Sequence, residues 1–414
     1  MRIVLGLFLP LFVFAQNYGL STLVENANKE NGLIKAKEIS IQARQQEVEA
    51  AKSAYWPTVD IGGSYTELSP NSLVSPGQTA TAYASISMDL YDGGRKSALL
   101  NASRFEKEAA LFEKGAFEKS ITLDIVRQYY NIQKHKANLH ALKERSTELK
   151  AQITRVKKFK TSGLATQEEV DKLQAVFDSN NYSMANTRLA LVTSENNLQL
   201  LSGLPAKNLK DDHFREPKNV QFETFENIKM LQSNAKAIGE QSNAIDAGYM
   251  PQVAISDTYN ESHYDDIFSA PGFGDELLLD HQNKAMISVN MRIFDNGKMS
   301  KESEAVKYQK MSLLSEIEYA KKEQEMNFHL SEKSLETLRS KRKSAKSALR
   351  AATSTYNALK EKFEVGLVDN IAFLDALTQK TLEQSRYKET LYDYEISKSI
   401  YYYYAGKDPK EFIK

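Results

Sequence analysis

Glycines recur in pairs 203 residues apart: Gly94 with Gly297, Gly163 with Gly366, and Gly203 with Gly406. A chain of 414 residues patterned in this way reads as one structural unit written twice. Any fold must therefore place the same elements in the same order two times over. The flanks agree: Leu90-Tyr91-Asp92-Gly93-Gly94-Arg95 aligns with Ile293-Phe294-Asp295-Asn296-Gly297-Lys298, and Ser162-Gly163-Leu164 with Val365-Gly366-Leu367. Upstream, Trp56-Pro57-Thr58-Val59 resembles Met250-Pro251-Gln252-Val253 at an offset of 194, nine residues short of 203. The segment between these motifs is thus a loop free to change length.

The first residues read as an export signal: Arg2, then an apolar run Ile3 to Phe14, then Val13-Phe14-Ala15 as a cleavage site before Gln16. The run is too short for a spanning helix, which needs about 20 residues, and no longer apolar run follows. There is no Cys for disulfides or for N-terminal lipidation. Lys plus Arg and Asp plus Glu balance at 54 each, which gives no support to a nucleic-acid partner. The organisation expected is a signal peptide over 1–15, a first repeat over 16–203, a linker over 204–224, a second repeat over 225–406 and a tail over 407–414.

Between Arg95 and Ser162 there is no Pro and one Gly, Gly115; the mate, Lys298 to Val365, has neither. Each stretch predicts a helix of about 100 Å at 1.5 Å per residue. Leu142, Leu149, Ile153 and Val156 in one copy, and Ala345, Leu349, Ala352, Tyr356, Leu359 and Phe363 in the other, keep the three-four step of a coiled-coil seam. A return helix follows each central glycine, from Gln167 to about Leu201 and from Asn370 to about Tyr404. Each is about half as long as its partner, so a further helix must stack on its end. Leu23–Tyr55 and Phe225–Tyr249 fit that place.

Between the upstream and long helices the period changes to two. Val59, Ile61, Gly63 and Tyr65 alternate with polar residues, as do Ala84, Ile86, Met88 and Leu90, and Ile287, Val289, Met291 and Ile293. Val253, Ile255, Asp257 and Tyr259 match less well. Such segments suit membrane strands with one apolar face, and equally a small sheet packed on a soluble core. The intervening loops, Ser69-Pro70 to Gly77 and Ser262 to Gly274, are long and turn-rich. Four strands cannot close a barrel, because the smallest membrane barrels use eight, and an open edge in lipid is not viable. Membrane strands must therefore be pooled between chains. Three chains give twelve strands and twelve helical staves, with an interior of about 28 Å at about 10 Å per stave.

In this combination the chain resembles the TolC-type outer membrane efflux and secretion channels. The resemblance covers nearly everything after the leader and rests on the doubled order of helix, strand pair, long helix, Gly-Leu tip and return helix. It implies a mainly α fold in which duplicated coiled-coil hairpins form an α-barrel. Four strands per chain would join a twelve-stranded trimeric β-barrel. It also implies passive conduction from the periplasm across the outer membrane lipid, docked to a periplasmic adaptor and an energised inner-membrane pump. Small-molecule efflux is the leading expectation and export of a protein substrate the alternative, since the pump selects the cargo. A soluble periplasmic coiled-coil adaptor or scaffold fits less well, because adaptors resemble one hairpin flanked by lipoyl-like β segments.

The resemblance makes Ser162, Gly163, Leu164, Val365, Gly366 and Leu367 the adaptor-facing tips. Gly at such a turn is also required to end one helix and start the next. Of two family Asp positions on the second return helix, one is Ala372 here and the other Asp375. Asp369 either adds an acidic ring or serves as an N-terminal helix charge. Where family members lock the mouth with polar side chains, this chain has Phe363, Val368, Glu168 and Glu169, so that lock cannot form. No catalytic constellation, metal site or cofactor motif emerges: the six His are scattered, and Tyr91–Arg95 lacks the Gly-Lys-Ser/Thr of a phosphate loop. The Tyr401–Tyr404 run reads as core or interface filling.

Overall fold

A computed structural model describes residues 17–72, 74–218, 220–268 and 278–414; the predicted signal peptide and most of the second inter-strand loop lie outside them. In chain order the elements are α1 (Leu20–Glu30), α2 (Gly32–Ser53), β1 (Thr58–Glu67), β2 (Gln78–Tyr91), α3 (Arg95–Thr161) and α4 (Gln167–Ser202). The second series is α5 (Glu226–Asp246), β3 (Gln252–Asp265), β4 (His281–Asn290), α6 (Lys298–Glu364) and α7 (Asn370–Tyr404). The expected order thus occurs twice. Both long helices have 67 residues. Each begins after a glycine at positive φ, Gly94 (+91°) or Gly297 (+78°). Among the described residues no helix is long and apolar enough to cross a membrane.

Contacts divide the chain into two units, to each of which both long helices contribute. One comprises residues 17–37, 114–226 and 320–414. Its main core joins Leu20, Leu23 and Ile34 to Ile125, Tyr129 and Tyr130 of α3, Leu198 of α4, and Tyr394, Tyr401 and Tyr402 of α7. Buried hydroxyls need partners, and they find them on the linker: Tyr130 donates to the Asp212 carbonyl at 2.9 Å and Tyr402 to that of Arg215 at 3.1 Å. Tyr403 and Tyr404 pack on Phe225, with ring centroids at 5.1 and 5.9 Å. Tyr401 and Tyr402 are therefore core, while Tyr403 and Tyr404 are half-buried. A second core, built on Leu149, Ile153, Val156, Val170, Leu173, Tyr356, Phe373 and Leu377, lies near the helix turns.

The predicted upstream helix Leu23–Tyr55 is instead two helices. Asn31 adopts an extended conformation (φ −65°, ψ 122°) that ends α1. Its Oδ1 accepts from the Leu33 amide at 2.9 Å, capping α2, while its Nδ2 donates to the Leu201 carbonyl at 3.0 Å. A side chain that satisfies both a helix start and a distant carbonyl outweighs the continuing helical pattern.

The other unit comprises residues 38–113 and 227–319. It holds one antiparallel sheet in the order β1-β2-β3-β4. β4 stops at Asn290, opposite Gln252, so Met291 and Ile293 are not strand residues as their alternation predicted. The reason lies across the ladder, where the next bonded pair would be Arg292 with Met250, whose amide is already donated to the Ala247 carbonyl at 3.0 Å. β3 in turn runs to Asp265, so the loop begins later than Ser262. Register places Val59 opposite Ile86 and Ile61 opposite Ala84, with Ile255 opposite Ile287 and Val253 opposite Val289. The apolar residues so share one face, and it is open: Val59, Ile61, Tyr65, Ile287 and Val289 are all more than 60 % exposed.

The two outer strands have unpaired edges among the described residues. Leu68 donates to the Gly77 carbonyl, and Ser262 to that of Asp280, one step beyond the β1–β2 and β3–β4 ladders in the same registers. Alternation then directs the amides and carbonyls of residues 59, 61, 63 and 65 of β1 away from β2. Those of 283, 285, 287 and 289 likewise point away from β3.

Candidate functional site: the two hairpin tips

The loops joining α3 to α4 and α6 to α7 share the same two turn bonds at the 203-residue offset. Gly163 donates to the Lys160 carbonyl at 3.0 Å and Leu164 to that of Phe159 at 2.9 Å. In the second copy Gly366 donates to Phe363 at 3.1 Å and Leu367 to Lys362 at 2.8 Å. This is the Schellman arrangement, and it requires the left-handed conformation seen at Gly163 (φ +72°) and Gly366 (φ +79°). The return helices are capped at equivalent positions. Thr166 Oγ1 accepts from the Glu169 amide at 3.2 Å, while Glu169 Oε2 accepts from the Thr166 amide at 2.8 Å. Asp369 Oδ1 accepts from the Ala372 amide at 2.9 Å. Glu169 and Asp369 both therefore serve as N-terminal helix acceptors.

Of the predicted tip residues, Ser162 is exposed, and Leu164, Val365 and Leu367 are 77 %, 70 % and 74 % exposed. Apolar side chains so presented gain roughly 1.5–3 kcal/mol each when a partner fully covers them. The predicted mouth residues do not form one cluster. Glu168 and Asp375 are exposed, and Val368 is half-buried. Glu168 pairs with Lys172 at 2.7 Å, and that hydrogen bond holds its carboxyl below the usual range. The same bond raises Lys172, aided by the fields of Glu169 and Asp369. Phe363 packs within its own hairpin, stacked on Phe373 at 4.8 Å and 14°.

Three residues outside the sequence-derived set join the tips. Arg155 of α3 lies over the Phe159 ring at 5.2 Å and the Phe363 ring at 5.5 Å, and its Nη2 donates to the Glu364 carbonyl. Asn370 Nδ2 donates to the Glu169 carbonyl at 3.3 Å. Nearby, Lys360 of α6 pairs with Glu148 of α3 at 3.0 Å. The available signal was a break in the repeat, since the position equivalent to Arg155 is Ala358 and that of Glu148 is Ala351. Arg155→Ala should speed amide exchange in both tips by about tenfold, as cation–π contacts of about 0.5–1 kcal/mol each disappear with a charged hydrogen bond. Hydrogen-exchange mass spectrometry reads this directly.

The comparisons bear on this architecture. Residues 23–204 match the profile of the outer membrane efflux protein family. The solved structures similar to the chain include VceC, an outer membrane protein of Vibrio cholerae, at 15 % identity and a TM-score of 0.80, with 94 % of this chain and 96 % of that one covered. The CmeC outer membrane channel of Campylobacter jejuni superposes at 16 % identity and 0.81, covering 94 % and 85 %. CusC, described by its transmembrane channel formation, gives 16 %, 0.78 and 96 % of each chain. The chain has the fold of these structures. No curated sequence matches it. The resemblance read from the doubled order of elements and the Gly-Leu tips agrees with both kinds of match, and the matched proteins are outer membrane channels and efflux proteins, not enzymes. Among the described residues of this channel fold no group of His, Asp and Glu is placed to hold a metal.

Proposed function

We propose that three copies of this chain form an outer membrane duct that passively conducts small molecules, as the exit of a tripartite efflux system. The observation that carries the reading is the four-stranded sheet with two unpaired edges and an exposed apolar face, on a chain with two long helical hairpins. Lipid leaves no water to satisfy those edges, so each β1 must meet the β4 of a neighbouring copy, and three copies make twelve strands. The signal peptide over 1–15 delivers the chain to the periplasm, and the repeats over 16–203 and 225–406 each supply one hairpin, joined by the 204–224 linker. The tips, Ser162–Leu164 and Val365–Leu367, dock a periplasmic adaptor that couples the duct to an inner-membrane pump. Small-molecule cargo is favoured by the efflux description of the matched family.

Asp375 supplies the charge at the mouth, repeated three times around the axis. Carboxylates ringing a narrow pore favour cations. In planar bilayers, Asp375→Asn should lower the cation-to-anion permeability ratio without reducing the number of inserted channels. An unchanged ratio would remove Asp375 from the pore wall. The whole reading is tested by drug susceptibility: deletion of the gene should raise intracellular accumulation of a fluorescent pump substrate, and re-expression should reverse it. Unaltered accumulation would exclude small-molecule efflux.

A further inference from the structure

The unit that carries the tips contains a cavity beside the Lys360–Glu148 pair. It has a volume of about 340 Å³ and lies where α3, α6 and α7 converge. Three cations line it: Arg145 from α3, Lys360 from α6 and Lys380 from α7. Two carboxylates, Glu144 and Glu148, line it as well. Their pairing decides the sign of the site. Glu148 is occupied by Lys360 at 3.0 Å and by Gln152 Nε2 at 3.0 Å. Glu144 accepts from Gln384 Nε2 at 2.9 Å and sits 3.5 Å from His140 Nδ1, with its side chain half exposed to solvent.

Arg145 has no carboxylate partner among the described residues. Its Nη2 donates to Thr378 Oγ1 at 2.9 Å, and its Nε is buried with no acceptor at all. Burial alone pulls the guanidinium below its ordinary range. Lys380 also lacks a carboxylate partner; its Nζ lies 4.3 Å from the centre of the Tyr356 ring, which further lines the cavity. With Nε sealed from solvent and Nη2 held by Thr378, the remaining guanidinium N–H groups of Arg145 are the charged donors it offers to an oxyanion in the cavity. A lysine across the same cavity supplies a point charge for the remaining oxygens.

We propose that this cavity binds a small oxyanion, held by Arg145 and Lys380. The bound group would touch elements of both hairpins, α3 on one side and α6 and α7 on the other. It would thereby add a bridge to the single ion pair, Lys360 with Glu148, that spans them there. Sulfate, inorganic phosphate and a free carboxylate share the chemistry, and the cavity admits any of them with ordered water.

The test is calorimetric titration of the purified full-length protein in detergent with sodium sulfate, inorganic phosphate and sodium acetate in separate arms. Each titration is run against sodium chloride at matched ionic strength. One saturable site per chain is expected for at least one oxyanion, with chloride giving only heats of dilution. The preferred arm identifies the source: tetrahedral dianion if sulfate or phosphate leads, carboxylate if acetate does. Arg145→Gln should weaken binding by at least about tenfold, the loss of a charge-assisted contact. Lys380→Gln, a change at a half-buried side chain that leaves Arg145 in place, should weaken it by a smaller factor and keeps the question open should the first variant fail to fold. Arg339→Gln, outside the cavity, should bind like the parent. Absence of a saturable site in all three arms, equal heats with chloride, or unchanged affinity in Lys380→Gln would each overturn the assignment. None of those outcomes touches the duct reading, which the accumulation assay decides separately.

Discussion

If three copies pool their strands as proposed, the double variant Ile61→Pro, Ile287→Pro should run as a monomer in mild detergent and the parent as a heat-sensitive trimer. Both positions lie on outer strands, and both direct their amides away from the neighbour within the chain. Proline there costs no intrachain ladder bond, and edge strands tolerate its φ. Between copies, each substitution removes one donor and leaves a facing carbonyl unsatisfied in an apolar medium, at roughly 2 kcal/mol or more. Two such losses at each of three seams outweigh what one sheet edge can gain. The matched control, Gly62→Pro, strikes the β1–β2 ladder instead and should impair folding of the chain itself. A double variant that still trimerises would mean the edges face something other than each other.

Gly366→Val should abolish efflux while the trimer persists. A Cβ at residue 366 would meet nothing within 4 Å, so no clash is involved. The penalty is conformational: φ of +79° is open to glycine and expensive for a β-branched residue, at about 1–2 kcal/mol or more. The turn would relax toward negative φ and break the bonds from Gly366 to Phe363 and from Leu367 to Lys362, which re-aims Val365 and Leu367. Asn tolerates the left-handed region, so Gly366→Asn should keep most of the activity. Drug susceptibility of the two variants in a deletion strain, with trimer levels measured in parallel, separates strain from side-chain bulk. Equal loss in both would assign the effect to the missing glycine surface rather than to the turn.

Much of this fold is written locally. The long helices were expected over 95–162 and 298–365 and occupy 95–161 and 298–364, because Gly163 and Gly366 at positive φ end stretches that hold no proline and, besides Gly115, no glycine. The strand pairs were legible from period two. What escaped depends on partners far along the chain. Asn31 breaks the first helix through a bond to Leu201, 170 residues away. β4 ends where it does because the next bonded position across the ladder is Met250, whose amide is given to Ala247. At the tips, the turn glycines could be read off, and Asp369 as a helix-end charge was one of two alternatives, whereas Arg155, Asn370 and Lys360 could not. Their partners, Glu364, Glu169 and Glu148, belong to the other hairpin, and only packing brings them within reach.

Intermolecular disulfide mapping tests the pooled barrel most directly, and the chain has no native cysteine to confuse it. One cysteine is placed in β1, at residue 59, 61 or 65, and one in β4, at 285, 287 or 289, followed by oxidation in isolated outer membranes. A ladder of covalent dimers and trimers, strongest for one β1–β4 register and absent for cysteines in β2 or β3, is the predicted pattern. Exclusively intrachain products, or none for any pairing, would contradict a barrel shared between copies.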